Sequence, residues 1–178
     1  MNLNYFGTLN ITKSFLPKLL ESQRKNHVVF VGSTLSLMAL PGYSDYTPSK
    51  WALRALCDTL QMEFQSSNIS FHIFYPPNMD TPGFTEEQKR KPEITKFIEG
   101  SIKVVSAEKA AKECLEKMEK GVYAIKMDFL TSILYRKNSV AFPRRDLGEW
   151  LLDLVLVSMS FLVETFIYVY CHFVFAFW

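Results

Sequence analysis

The sequence has no Cys-x-x-Cys pair and no Cys/His cluster. Its three cysteines, Cys57, Cys114 and Cys171, and three histidines, His27, His72 and His172, are scattered. Widely spaced thiols in odd number exclude a disulfide framework and a zinc site, and leave ordinary thiols of a reducing compartment. Charge of one sign is equally scarce. Twenty basic and eighteen acidic residues leave a net +2 with no dense Lys/Arg tract, so no nucleic-acid partner is expected. Met1–Phe6 lacks a basic stretch followed by an apolar core, and a secretory signal is not expected there. What remains is a chain of 178 residues, 48% hydrophobic, with fifteen Phe. That suits one globular domain plus an appendage.

Apolar spacing divides the chain into alternating elements. Phe6, Leu9, Ile11, Phe15, Leu19 and Leu20 recur at helical intervals over residues 4–20, with Pro17 making the last turn irregular. "HVVFVGS", His27 to Ser33, follows a charged turn and reads as a strand buried on both faces. Ser44 and Asp45 are candidate caps for a helix running to about Gln65. Ile69 to Pro77 is the next strand, ended by its paired prolines. Beyond lies a polar, Pro- and Gly-punctuated loop with one short helix, in which Asp80, Glu86 and Glu87 are expected to be solvated. Ser106 should cap a helix whose Ala110, Cys114, Leu115 and Met118 share a face and which Gly121 stops, before a last strand at 122–126. The alternation predicts a doubly wound parallel α/β sheet over residues 1–126.

The tail differs. Residues 150–178 hold only Asp153 and Glu164 as charged groups, and residues 154–178 exceed the ~20 apolar residues a bilayer span needs. A C-terminal apolar helix crossing a membrane is expected there, the rival being an apolar helix docked on the domain or on a second subunit. Residues 127–149 form a basic connector whose Arg136, Lys137, Arg144 and Arg145 would keep the globular part cytosolic.

Tyr46 and Lys50 stand four apart at the start of the helix proposed for residues 45–65, hence on one face of it. A free phenol, with a pKa near 10, is a poor proton donor or acceptor at neutral pH, and a nearby ammonium favours its phenolate. A tuned Tyr can protonate a carbonyl oxygen or deprotonate an alcohol. Such spacing alone also describes a surface pair. Its setting adds to it: Ser33 ends a buried strand thirteen residues earlier, and Thr81 follows Pro76 by five after the next strand. Open α/β sheets bind ligands at that edge.

In this order, "NYFG" with Asn4, "VGS" with Ser33, "YTPSK" with Tyr46 and Lys50, and "PPNMDT" with Thr81 resemble the short-chain dehydrogenase/reductase family. The resemblance covers Asn4 to about Lys126 and implies that residues 1–126 are the C-terminal half of a Rossmann-like fold. It implies Tyr46 as general acid/base, with Lys50 lowering its pKa and binding the nicotinamide ribose. It also implies Ser33 orienting the substrate carbonyl and Asn4 holding a proton-relay water. Pro76, Pro77 and Thr81 would lie along the nicotinamide of NADPH. The family usually has Pro-Gly at that turn; Pro77 removes a backbone N–H. "YPPNMDTPGFTEEQKRKPE" and "SKWALRALCDTLQMEF" are similar to the branch that reduces 3-ketodihydrosphingosine, a long-chain lipid ketone of sphingolipid synthesis. That branch implies an endoplasmic reticulum membrane and a cytosol-facing catalytic part. A membrane-anchored steroid or retinoid dehydrogenase, or a catalytically dead interaction protein pairing through helices 4–20 and 45–65, are the alternatives.

A glycine-rich turn would cradle the pyrophosphate in such a fold. The seven glycines are all too far apart to make one. The expectation is a chain with the acid/base centre but without most of the cofactor pocket, and with an exposed apolar edge on the strand at residues 27–31.

Overall fold

The computed structural model describes residues 1–100 and 102–138, together with Val155, Phe161, Thr165 and Val169. The expected membrane segment at 150–178 therefore lies, but for those four positions, outside the described residues, as does the 139–149 part of the connector. Among the described residues no helix is long and apolar enough to cross a membrane. Contacts divide the chain into two units, Met1–Asp128 and Phe129–Trp178; of the second, one helix, Phe129–Asn138, is described.

The first unit opens on a π-helical stretch, Asn2–Gly7, that runs into helix α1, Thr8–Glu21. Pro17 sits inside α1 without ending it. Strand β1, Asn26–Val31, is followed by helix α2, Tyr46–Glu63, and strand β2, Ile69–Tyr75. Where one short helix in a loop was expected, the structure has two. The short strand β3, Met79–Asp80, leads into α3, Pro82–Arg90, and α4, Glu93–Glu99. The cause is local: Thr81 caps α3 by accepting from the Phe84 N–H, with Pro82 in its first turn. Strand β4, Val105–Ser106, helix α5, Ala107–Glu119, and strand β5, Ala124–Lys126, complete the unit. Ser106 caps α5 as expected, and Gly121 follows it with φ +74°, a left-handed conformation that glycine adopts without penalty.

The main sheet has the order β1-β2-β5, all parallel, and β3 pairs with β4 in a second, two-stranded sheet. Helices cover both faces. On one, Leu53, Cys57 and Leu60 of α2 are buried, and Phe71 packs with Phe30 and Phe64 at ring distances of 6.2 and 5.9 Å. On the other, Phe74 and Ile125 join Ala110 and Cys114 of α5. Asn68 and Asn26 both donate to the Leu19 carbonyl, tying the end of α1 to the strand starts.

Three expectations are corrected. β1 is not buried on both faces. It is the edge strand, only Phe30 is buried, and Val31 is 53% exposed, because β2 is its one strand neighbour among the described residues. Leu115 does not share the buried face of α5: it is 54% exposed, while Ala110 and Cys114 are buried. Arg54 and Asp58 do pair, at 3.6 Å, but not on the surface: their side chains are only 8% and 21% exposed. Tyr123 closes over them from the approach to β5, its hydroxyl donating to Asp58.

Candidate active site

The register of the sheet decides which loops meet. Val31 is opposite Phe74, so Ser33 and Pro76, each two residues further on, leave the sheet at the same carboxyl edge. The Gly32 N–H donates to the Phe74 carbonyl at 2.8 Å, holding the chain against β2 up to Ser33. There Ser33 caps a single 3-10 turn, Thr34–Ser36. Its hydroxyl accepts from the Leu35 N–H at 3.1 Å, and its own N–H donates to Ser36 Oγ at 3.2 Å. The Ser33 side chain is thereby fixed, at the edge where Tyr46 opens α2, and it acts on the Tyr46 phenol in the sense of lowering its pKa.

Tyr46 is the first residue of α2, with Asp45 at the cap position making no side-chain hydrogen bond. Lys50, one turn on, stands with its Nζ 5.5 Å from the Tyr46 ring centroid and donates to the Val31 carbonyl at 3.0 Å. In this state its hydrogen bond goes to the end of β1 rather than to the phenol. Burial pushes the phenol pKa above its ordinary value, the Ser33 side chain opposes that rise, and the negative charge of Glu87 adds to it. Burial alone lowers the Lys50 ammonium pKa.

Asn4 lies in the π-helical stretch and donates from Nδ2 to Ser49 Oγ at 2.9 Å. Ser49, buried in α2, donates in turn to the Tyr46 carbonyl at 2.6 Å. Asn4 is thus anchored to the turn that presents Tyr46. Pro76 and Pro77 continue from β2 at the shared edge, whereas the Thr81 hydroxyl oxygen is engaged at the start of α3 by the Phe84 N–H at 3.1 Å. The structure therefore brings Ser33, Tyr46, Lys50 and, through Ser49, Asn4 together, with Pro76 and Pro77 at the same edge.

Four participants escaped the sequence. Ser49 sits within the "YTPSK" stretch itself, and only its burial marks it out. Tyr43, three residues before Tyr46, packs edge-on to it with ring centroids 6.0 Å apart. Glu87, expected to be solvated, accepts a hydrogen bond from the Tyr43 hydroxyl and pairs with Lys91 at 3.0 Å. The i,i+4 spacing of Glu87 and Lys91 was the available signal. A cavity of about 520 Å³ beside α3 is lined by Asp80, Phe84, Thr85, Gln88 and Val104–Ser106, and by none of the acid/base candidates. Among the described residues no group of His, Cys, Asp and Glu could hold a metal.

The chain is similar to several known proteins. Residues 1–92 match the family described as short chain dehydrogenase. A 3-ketodihydrosphingosine reductase of Dictyostelium discoideum is 43% identical over 134 residues, 75% of this chain and 40% of that protein. One from Neurospora crassa is 32% identical over 166 residues, covering 88% and 45%. A 3-dehydrosphinganine reductase of Danio rerio is 42% identical over 112 residues, covering 63% and 33%. The chain spans half or less of the length of these relatives. A short chain dehydrogenase from Burkholderia cenocepacia, solved in complex with NADP, shares the fold. It superposes with TM-score 0.61 at 21% identity, over 78% of this chain and 52% of that one.

Proposed function

The chain belongs to the short chain dehydrogenase family, and on that premise we propose that it carries the acid/base portion of an NADPH-dependent reductase of 3-ketodihydrosphingosine, a step of sphingolipid synthesis. Lys50 one turn from Tyr46, its Nζ 5.5 Å from the phenol ring, with Ser33 ending β1 at the same sheet edge, is the observation that carries the reading, and the names of the relatives supply the substrate.

The residues present fit one end of the cofactor. Tyr46 and Lys50 would hold the nicotinamide ribose, and Pro76, Pro77 and Thr81 would line the ring, while a glycine-rich pyrophosphate turn is not among the seven glycines. The chemistry NADPH supplies when bound is a hydride to the carbonyl carbon. The chain's own part is the proton. A phenol pKa raised by burial leaves Tyr46 protonated at neutral pH, the form needed to give its proton to the carbonyl oxygen. Ser33, fixed at the same sheet edge, would hold that same oxygen within reach of the phenol. Lys50 beside the ring favours the phenolate that remains, and Asn4, anchored on Ser49, would hold the water that restores its proton.

A long-chain ketone partitions into a bilayer, so an anchor suits the substrate. Residues 150–178 would provide it at the endoplasmic reticulum, with the catalytic part facing the cytosol. Self-association through helices 4–20 and 45–65 is part of the same reading. Exposed Ile11 and Phe15 on the first and Met62 on the second support it.

The test is a protein joining these residues to a glycine-rich nucleotide-binding half, assayed with NADPH and 3-ketodihydrosphingosine. Tyr46→Phe should cost about 100- to 10,000-fold in turnover and leave NADPH affinity nearly unchanged. Retained turnover would remove Tyr46 from the mechanism.

A further inference from the structure

The side chain of Lys91 is 0% exposed, an unusual place for an ammonium. Burying such a charge is costly unless it is paired and hydrogen-bonded. Here it has two carboxylates, Glu87 of α3 at 3.0 Å and Glu99 of α4 at 2.5 Å. Two rings close over it: Nζ lies 5.3 Å from the Phe84 centroid and 5.9 Å from that of Tyr43. Lys91 is thus the point at which α3 and α4 are joined, and Tyr43 reaches it from another part of the chain.

Further contacts fix the same seam. Thr95 of α4, wholly buried, donates from its hydroxyl to the Pro41 carbonyl at 2.7 Å. Gly42 adopts φ +88°, and a Cβ there would stand 2.6 Å from Cγ of Pro92, between α3 and α4. The Tyr43 hydroxyl donates to Glu87. Residues 41–43 are the last part of the loop before α2, whose first residue is Tyr46. The α3–α4 segment is therefore docked on the strand of chain that presents the proton donor.

Resting on the reading of Tyr46 as that donor, we propose that Glu87 is a positioning residue for Tyr46, held in place by Lys91, and that docking of α3–α4 keeps the phenol in its protonated form. The physical basis is charge and contact. Glu87 is anchored to Tyr43, whose ring packs edge-on against Tyr46. A carboxylate so placed disfavours a second negative charge on the phenol oxygen, and it acts on Tyr46 in that sense. Lys91 supplies the geometry: without it Glu87 and Glu99 would repel across the α3–α4 turn.

The experiment uses the 178-residue chain labelled with [13Cζ]tyrosine, the Tyr46 resonance being assigned by its loss in Tyr46→Phe. The phenolate fraction of Tyr46 is followed through the alkaline range in the wild type, Glu87→Gln and Glu87→Asp. Glu87→Gln should raise that fraction about threefold at a pH below the midpoint, a shift of about half a pKa unit, and Glu87→Asp should restore most of the wild-type curve. A folded Glu87→Gln chain with an unmoved Tyr46 curve overturns the proposal. Should Glu87→Gln not fold, Tyr43→Phe, which removes the anchor of Glu87, is read in the same way, and an unmoved curve again overturns it. None of this needs turnover. An unmoved curve in a protein whose reductase activity still depends on Tyr46 sinks only the role of Glu87. Turnover retained by Tyr46→Phe sinks the reading of the site, whatever the curve does.

Discussion

Asn4 and Ser49 are joined across 45 residues of sequence by a 2.9 Å hydrogen bond, and the same Ser49 hydroxyl donates to the carbonyl of Tyr46 at 2.6 Å. The π-helical stretch at the start of the chain is thereby coupled to the first turn of α2. Because Ser49 is 1% exposed, removing its hydroxyl leaves the Asn4 amide short of a partner in a part-buried place. Urea unfolding of Asn4→Ala, Ser49→Ala and the double variant should give a coupling energy of about 0.5–1.5 kcal/mol. Additive losses would show that the bond contributes nothing of its own.

Gly42 should tolerate no side chain. Its φ of +88° is a left-handed backbone, which costs an L-residue about 1–2 kcal/mol. A methyl group would also meet the Pro92 ring at 2.6 Å. Gly42→Ala is expected to lose at least that much stability in urea unfolding and to loosen α3–α4 from residues 41–43, seen as faster amide exchange in α4. A variant as stable as wild type would mean that the seam is softer than its geometry implies.

How far the sequence revealed these features depends on the distance over which each is encoded. Ser33, Tyr46 and Lys50 were legible because strand end, helix start and an i,i+4 pair are local signals, and strand order then brings their loops to one edge. Glu87 and Lys91 have the same i,i+4 spacing, but a charged pair in a polar stretch reads as a solvated face. Glu87 stays 43% exposed, and it is Lys91 that is buried, through docking of α3–α4 on Pro41–Tyr43, more than 40 residues away. Arg54 and Asp58 were misjudged for the same reason, since Tyr123 is supplied by another element. Leu115 was placed on the buried face of α5 by its spacing, but helical spacing gives a stripe and not its edges. Ala110 and Cys114 meet Phe74 and Ile125, and Leu115 lies beyond that contact.

Cofactor affinity follows from which part of the pocket is present. The residues around Tyr46 and Lys50 suit the nicotinamide end, but pyrophosphate binding in such folds rests on backbone N–H groups of a glycine-rich turn. No such turn can be made from the glycines of these 178 residues. Fluorescence titration of the chain with NADPH should show no saturation in the micromolar range. A micromolar dissociation constant would mean that the nicotinamide end alone suffices.

Stability should fall in acid through one buried ring. His72 is 1% exposed, and its Nδ1 faces the Val122 carbonyl at 2.8 Å, so that nitrogen carries the proton and Nε2 is the acceptor of the neutral ring. His27 Nδ1, 2.9 Å from that Nε2, must then donate. A second proton on His72 would set two N–H groups against each other. Burial above all, helped by the charges of His27 and Lys25, lowers the His72 pKa despite the Val122 hydrogen bond. The folded value lies below the unfolded 6.5, so the unfolded chain binds more protons between the two. The stability tied to His72 is therefore present above 6.5 and is lost as pH falls through the folded value. Asp58, whose pKa burial raises, works in the opposite sense, gaining stability as pH falls. Urea midpoints measured on both sides of 6.5 separate the two: the wild type should lose more on acidification than His72→Gln. Equal losses in the two proteins would show that the paired rings do not govern the acid limb.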